Sequence, residues 1–338
     1  MRIVHLLASP VFSGPAELVL ELALAQRALG HDVQVAVDRT RAPRSEEPAP
    51  PRFADAGLLH DGPLEVSVKS SPLAMLRDVR HLWQLAPDVL HAHFSHDHHL
   101  AALATHGTTV LVRSVHAPRS FGWATPRAHV YTAPYAALTQ RLRRRKVPVL
   151  EHPALVSAGF RPGSREAARL ALGVQGAPLV GLVSSFQPSR RLDVALEAFA
   201  LLRRDRPGAH LVLAGDGELA AALQARAAAD DLRGAVTFLG YRSGEAFVEV
   251  LQAVDQVWLL GLGNDFSGRA AVQAKACGAL VLAVREGALA GVADALVEPT
   301  PAAVAHAAGI VMARPVRLPD AAAFAQDLMA AVSRVHDR

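Results

Sequence analysis

The sequence has a single cysteine and no long apolar run. Cys277 cannot form an internal disulfide, and we expect its thiol to be packed in a helix. No apolar run approaches the roughly 18 residues that a membrane-spanning helix needs. The opening MRIVHLLASP has one basic residue and an apolar run too short for an export signal, so it predicts a first strand and a cytoplasmic protein.

Aromatic residues make up only 5% of the chain, and the three tryptophans and three tyrosines are not interleaved with basic residues, which argues against nucleic acid as a partner. The formal net charge of +4 is unevenly spread, because the run RLRRRK at 141–146 is almost entirely basic. Two interpretations of this run stay open. It is either a solvated helix end, where cations suit the helix dipole, or a patch that binds anionic lipid or another polyanion.

What the chain does have is apolar sequence in short segments. Hydrophobic residues make up 51% and charged residues 20% of 338 residues, which indicates a globular protein of two domains. Runs rich in β-branched residues predict buried parallel strands at 2–8, 32–38, 88–94 and 108–117. In the helical pattern between the first two, Pro15 stands early and Gly30 at the end, as at helix starts and stops. Residues 39–63 predict a long proline-rich surface loop.

A second series of strands is predicted at 178–186, 209–215, 235–240, 255–260 and 279–284. Repeated βαβ units give an α/β fold class with two Rossmann-like, doubly wound domains, whose ligands bind at the carboxyl ends of the strands. We expect an N-terminal domain at 1–157, a second domain at 158–318 and a last amphipathic helix at 319–338 that packs back toward the first domain.

The segment GNDFSGRAAVQAKACGALVLAV, 263–284, reads as a strand end, a loop, a helix and a strand. Its loop carries Asp265, and the small residues Ser267 and Gly268 leave backbone N–H groups accessible at the helix start. Helix N-termini of this kind bind anions. The same pattern also serves as a plain linker in α/β proteins, so the segment does not decide the function.

The order of motifs resembles the retaining glycosyltransferases of family four, which have the two-domain GT-B fold. The resemblance covers nearly the full length: SGPAELVLELALAQRALGHDVQV, PDVLHAHF, VRSVH and FRPGS come first, and AGDGEL, VTFLG and QAKACGALVLA follow. It implies two domains facing across a cleft, with a nucleotide diphospho-sugar such as a UDP or GDP sugar in the second domain and an acceptor in the first.

The resemblance assigns the donor diphosphate to the loop SSFQPSRRLD. Ser185 and Arg190 stand where the family has an Arg and a Lys, and Arg191 replaces a usual glycine. We expect Arg190 to bind phosphate, with Arg191 as a second charge that leaves the helix start in a different direction. Tyr241, directly after VTFLG, is also expected to bind the donor.

The opening segment resembles the family's motif of two glutamates separated by seven residues, here Asp265 and Gln273. The resemblance implies that Asp265 holds sugar hydroxyls, that the amides of Phe266, Ser267 and Gly268 meet sugar and phosphate, and that Gln273 binds ribose. The side chain of Asp265 is one methylene shorter than that of Glu, and Gln273 lacks the negative charge of Glu. We therefore expect weaker or altered donor binding.

His116, at the end of VRSVH, matches a family histidine that reaches the donor sugar, and Gly14 in FSGP matches one of two glycines near the donor phosphate. The expected catalytic residues are therefore His116, Asp265 and Arg190. In HAHFSHDHH, His91 and His93 point to one side of a strand, a spacing compatible with zinc. Because the family has histidine-rich strand ends here and needs no metal for transfer, we expect no metal and no cofactor.

The resulting hypothesis is a glycosyltransferase that moves a sugar to a glycan or lipid-linked acceptor with retention of configuration, as a peripheral membrane protein of polysaccharide biosynthesis. Since positions 185, 191, 265 and 273 all depart from the pattern, an inactive paralogue that binds a nucleotide sugar or a partner protein is the alternative. Turnover of a donor separates the two. A GT-B epimerase would need a cluster of acid and base carboxylates, which these motifs do not supply.

Overall fold

A computed structural model describes residues 1–40, 47–62, 64–66, 71–152, 154–263 and 266–337. The chain divides into two compact units. Unit 1 consists of Met1–Leu155 and Pro319–Arg338, and unit 2 of Val156–Leu318. The C-terminal segment therefore belongs to the same unit as the N-terminus.

Unit 1 alternates strands and helices, which are β1 (Arg2–Leu7), α1 (Gly14–Ala28), β2 (Asp32–Val37), α2 (Ala49–Asp55), α3 (Pro72–Leu85), β3 (Val89–Ala92), α4 (Ser95–Ala104), β4 (Val110–Ser114), β5 (Val130–Ala133), α5 (Ala136–Arg143) and β6 (Val149–Glu151). The strands form one parallel sheet in the order β2-β1-β3-β4-β5-β6. The chain thus leaves β1 toward one side and returns on the other, so the topological switch point lies between β1 and β3.

Unit 2 follows the same plan with α6 (Arg165–Leu172), β7 (Leu179–Val183), α7 (Leu192–Asp205), β8 (His210–Ala214), α8 (Ala220–Ala227), β9 (Val236–Gly240), α9 (Gly244–Ala253), β10 (Gln256–Leu259), α10 (Arg269–Ala276), β11 (Leu280–Ala283), α11 (Leu289–Val292), β12 (Ala295–Leu296) and α12 (Pro301–Ile310). Its parallel sheet has the order β12-β11-β10-β7-β8-β9. The switch point here lies between β7 and β10.

Helices cover both faces of each sheet, which is why the strands read as nearly continuous apolar runs. The last helix, α13 (Ala321–His336), begins after Asp320, whose side chain accepts hydrogen bonds from the amides of Ala322 and Ala323. Its apolar face is buried beside α1 in unit 1, with Phe324 and Leu328 in the core.

The predicted α/β fold class is confirmed, and the nine predicted strands are present, each one to five residues shorter than predicted. β5, β6 and β12 were not predicted. Cys277 is buried, as expected, and burial raises the pKa of its thiol to about 11. Among the described residues, no helix has the length and apolarity that a membrane crossing requires.

The prediction of a surface loop at 39–63 is wrong for its second half. α2 lies there with Phe53 fully buried, and backbone hydrogen bonds join Val35 to Leu58 and His60. The prolines that suggested a loop stand in the first turn of α2, where a helix needs no N–H donor. Residues 41–46 and 63 of this prediction lie outside the described residues.

Candidate active site

In unit 2, the loops that follow β7 and β10 meet at the switch point. The Leu262 N–H donates to the Ser189 carbonyl at 3.1 Å. A Cβ on Gly261 would lie 3.1 Å from that carbonyl oxygen and 3.2 Å from Cδ of Arg190, so glycine lets the two loops touch. Ligands of open α/β sheets bind at such a point. The structure therefore places Arg190 where a ligand of this fold is expected.

Arg190 is half-buried, at the end of a short 3₁₀ turn formed by Pro188–Arg190. Its Nε is buried and has no hydrogen-bond partner among the described residues. A guanidinium held by its aliphatic stem, with a donor nitrogen not engaged by the described protein groups, is suited to binding an anion.

Arg191 precedes α7 in the left-handed conformation, with φ 53°. Glycine adopts this conformation without strain, whereas other residues lose about 1–2 kcal/mol. Glycine would therefore suit this position, and Arg191 destabilises the fold by this backbone cost.

The loop after β8 packs against the loop after β7. The Phe186 N–H donates to the Asp216 carbonyl at 2.7 Å, and the Leu219 N–H donates to the Phe186 carbonyl at 3.0 Å. A Cβ on Gly215 would overlap the carbonyl oxygen of Ser184. The glycines of AGDGEL thus permit a close backbone approach beside the switch point, with Ser185 exposed next to it.

The loop before α10 contacts the loop after β11. The Ala288 N–H donates to the Phe266 carbonyl at 3.0 Å, and Gly268 is the left-handed residue, φ 68°, from which α10 begins. Ser267 lies between them at the start of the helix, half-buried. Asp265, the expected acid, lies outside the described residues.

Glu286, which the sequence analysis missed, lies in this loop after β11. Its Oε1 accepts a hydrogen bond from the Gly263 N–H, and its Oε2 is buried with no hydrogen-bond partner in the described part of the chain. The signal that could have found it is its place three residues after the buried strand β11, at the carboxyl edge of the sheet.

The remaining residues of unit 2 that are expected to bind the sugar donor differ in exposure. Gln273 is buried in α10 and 2% exposed. Tyr241 follows the edge strand β9 and is 68% exposed. β9 is separated from β7 by β8, so Tyr241 is the expected residue farthest from the switch point along the sheet order.

In unit 1, His116 follows β4 and Gly14 begins α1, so both stand on connections that leave the carboxyl ends of strands. The His116 ring lies 5.8 Å from the ring of His93 and 6.0 Å from that of Phe94, between centroids. Burial, followed by the charge of Arg113, lowers the pKa of His116 to about 3. The imidazole is therefore neutral at pH 7, so it can meet a ligand through hydrogen bonds but not through charge.

The histidines in the strands form a buried group. His5, His91 and His93 are fully buried, and one ring nitrogen of each lies within 4.8 Å of the others. His5 Nε2 lies 2.8 Å from the amide oxygen of Gln26, and His5 Nδ1 lies 3.0 Å from Nε2 of His93. Because the amide oxygen only accepts, His5 donates from Nε2 and accepts from His93.

This group has the spacing for a metal ion but not the favourable charge. It contains no carboxylate, and burial first, then the neighbouring histidines and Arg113, hold the pKa of His91 and His93 well below its usual value. A positive potential disfavours a divalent cation. That the protein holds no metal stays a prediction.

Two matches with known families cover most of the chain. Residues 12–150 match the family model "Glycosyltransferase Family 4", and residues 164–306 match "Glycosyl transferases group 1". Each of the two units thus contains a region that matches a glycosyltransferase model. D-inositol 3-phosphate glycosyltransferase of Mycolicibacterium gilvum (strain PYR-GCK) is similar over 145 residues at 38% identity, which is 41% of this chain and 31% of that relative. The chain therefore spans less than a third of that curated relative.

Solved structures show the fold. The crystal structure of Anabaena Alr3699/HepE in complex with UDP has a TM-score of 0.74 at 17% identity, covering 99% of this chain and 100% of that one. The catalytic domain of starch synthase IV from Arabidopsis thaliana bound to ADP and acarbose has a TM-score of 0.69 at 12% identity, covering 100% and 99%. The glycosyltransferase fold is GT-B, as predicted. The two structures hold different nucleotides, so the fold by itself does not select the base.

Proposed function

We propose that the protein transfers a sugar from a nucleotide diphospho-sugar, with UDP or GDP as the leaving group, to a glycan or lipid-linked acceptor with retention of configuration. The observation that carries the proposal is the switch point of unit 2, where Gly261 packs on Arg190 and the loops after β7, β8 and β11 gather. The relative from Mycolicibacterium gilvum, a glycosyltransferase, supports transfer over an inactive binding role.

In this proposal the leaving diphosphate is stabilised electrostatically. The guanidinium of Arg190 and the backbone N–H groups at the start of α10, near Ser267 and Gly268, meet the negative charge as it develops. That neutral His116 makes a hydrogen bond to the sugar stays a prediction from the resemblance. Such a mechanism requires no covalent intermediate and no metal.

The test is the affinity of the Arg190→Ala variant for UDP and GDP, measured by calorimetry. A charge-assisted hydrogen bond contributes about 1.5–3 kcal/mol, so the affinity should fall about tenfold or more. Arg204→Ala is the matched control, because Arg204 is exposed near the other end of α7. Equal affinities for the wild type and Arg190→Ala would contradict the phosphate assignment.

We further propose that unit 1 binds the anionic surface of a membrane through the basic run. The side chains of Arg141 and Arg145 donate to the carbonyls of Phe121 and Gly122, and both guanidinia lie over the Phe121 ring, at 5.6 and 5.0 Å from its centroid. These two arginines thus hold the loop that presents Trp123, which is 96% exposed.

The other three basic residues, Arg143, Arg144 and Lys146, remain exposed beside this loop. An exposed tryptophan next to surface cations is suited to a membrane interface, where each cation gains about 1 kcal/mol near anionic lipid. Vesicles rich in anionic lipid should retain the protein at low salt. Retention should fall in Trp123→Ser and in the Arg143→Glu/Arg144→Glu variant, but not in Arg204→Glu/Arg206→Glu in unit 2. Equal retention of all variants would contradict the proposal.

A further inference from the structure

We infer that Asp97 is a positioning residue that fixes the two loops at the switch point of unit 1. The inference rests on the proposed function where it concerns sugar transfer. The carboxylate is fully buried in the first turn of α4, between the chain segments that leave β1 and β3.

Three backbone N–H groups donate to this one carboxylate. Oδ1 accepts from His93 at 3.1 Å and from Phe94 at 2.7 Å, and Oδ2 accepts from Ala8 at 3.0 Å. The bond from Phe94 is half of a capping box, which many helices have. The bond from Ala8 is not part of a cap, because Ala8 lies 89 residues away at the end of β1.

The hydrogen bond from Ala8 to Asp97 matters because Ala8 lies at the start of the loop after β1. Residues 8–13 lead from β1 into α1, whose first residue is Gly14, and residues 93–94 lead from β3 into α4. β1 and β3 are neighbours, and the loops at their carboxyl ends flank the point where this fold binds ligands. Asp97 therefore ties together both loops that a ligand of unit 1 would meet.

Among the described residues, one group of opposite charge pairs with Asp97. The side chain of Arg113 on β4 is fully buried, and its Nη1 lies 3.7 Å from Oδ1 of Asp97. The three guanidinium nitrogens have no hydrogen-bond partner among the described residues. Nearby His93, His98 and His116 are neutral at pH 7, since burial lowers the pKa of each. Apolar residues usually replace such a buried pair without loss of stability, so its presence points to positioning.

Asp97→Asn tests the link to Ala8 selectively. The amide oxygen of asparagine can keep the bonds from His93 and Phe94, while its NH₂ group then faces the Ala8 N–H, donor to donor. The single variant leaves Arg113 charged and uncompensated, so Asp97→Asn/Arg113→Met is made beside it. The matched control is Asp78→Asn, because buried Asp78 accepts from the amides of Glu65 and Val66 in the same unit.

Hydrogen exchange of the full-length protein measures whether Asp97 holds the loop after β1, and it requires no enzymatic activity. At pH 8, above the pKa of Asp97, exchange in peptides covering residues 8–14 should rise about tenfold or more in both Asp97 variants, as expected for a lost charge-assisted bond, and stay unchanged in Asp78→Asn. Unchanged exchange at 8–14 in the Asp97 variants would overturn the inference.

The turnover of the Asp97 variants tests the positioning role of Asp97. With the UDP- or GDP-sugar that the wild type uses, kcat of the Asp97 variants should fall about tenfold to a hundredfold, because displaced loops misalign reacting groups. Their affinity for UDP should fall less than kcat does, because Arg190 and the amides at the start of α10 stay in place, whereas a merely unfolded protein loses both. Raised exchange with wild-type kcat would overturn the positioning role. If the wild type turns over no donor, the proposed function fails, and the exchange result alone decides whether Asp97 holds the loops.

Discussion

Unit 1 should lose stability steeply in mild acid, because it folds around histidines that cannot take up protons. His5, His91, His93 and His98 are fully buried. Burial lowers the pKa of His5 to about 4 and of His98 to about 3, and holds the pKa of His91 and His93 well below the usual value. In the unfolded chain each of them titrates near about 6.5.

The sign and size follow from linkage. A group whose folded pKa is lowered contributes stability above its unfolded pKa and loses it as the pH falls. Between pH 8 and 5.5 each of these histidines costs about 1.4 kcal/mol, and so does His116, whose pKa burial lowers to about 3, hence about 7 kcal/mol for the five. Asp97 acts in the opposite direction, since burial raises its pKa to about 7. It returns about 2 kcal/mol over the same range, so the net loss is about 5 kcal/mol.

Urea unfolding followed by tryptophan fluorescence measures this loss unit by unit. Trp83 and Trp123 lie in unit 1 and Trp258 in unit 2, so Trp258→Phe reports on unit 1 and Trp83→Phe/Trp123→Phe on unit 2. No histidine among the described residues of unit 2 is fully buried, which makes unit 2 the internal control. His98→Leu should remove about 1.4 kcal/mol of the pH dependence. A change below about 1 kcal/mol in unit 1, or equal changes in both units, would refute the reasoning.

Three further predictions concern unit 2. Arg191→Gly should raise the free energy of unfolding by about 1 kcal/mol in urea titrations, because glycine relieves the left-handed strain; a loss would contradict the strain. Phe199→Ala should lower it by about 3–5 kcal/mol, since the ring is fully buried, and a loss below about 1 kcal/mol would speak against the packing. Cys277 should react with a thiol reagent at neutral pH only on unfolding, because burial raises its pKa to about 11; rapid native labelling would count against it.

The sequence predicts best what depends on local pattern. Buried runs rich in β-branched residues predicted the longer parallel strands. β6 and β12 have only three and two residues, which is too short to show a periodic pattern. α2 was not predicted, because its prolines indicate a loop in the sequence, although the first turn of a helix also accepts proline. The loops around Arg190 could be predicted from order and motif, since their position follows from the strand ends they join.

The parts of the site that escaped prediction depend on contacts between distant residues. The bond from Ala8 to Asp97 joins positions 89 apart, and nothing local marks it. The basic run behaves similarly: Arg141 and Arg145 are one helical turn apart, yet only the fold shows that both hold the loop of Trp123. His5 joins His91 through the register of β1 and β3, which the sequence leaves open.

The most direct test of sugar transfer is release of nucleotide diphosphate from a panel of UDP- and GDP-sugars, with and without membrane lipid extract as acceptor. The account predicts that the wild type releases UDP or GDP from at least one donor, faster with acceptor, and that Arg190→Ala loses most of this turnover while Arg204→Ala keeps it. Binding of UDP or GDP without release from any donor would contradict transfer and leave a nucleotide-sugar-binding protein.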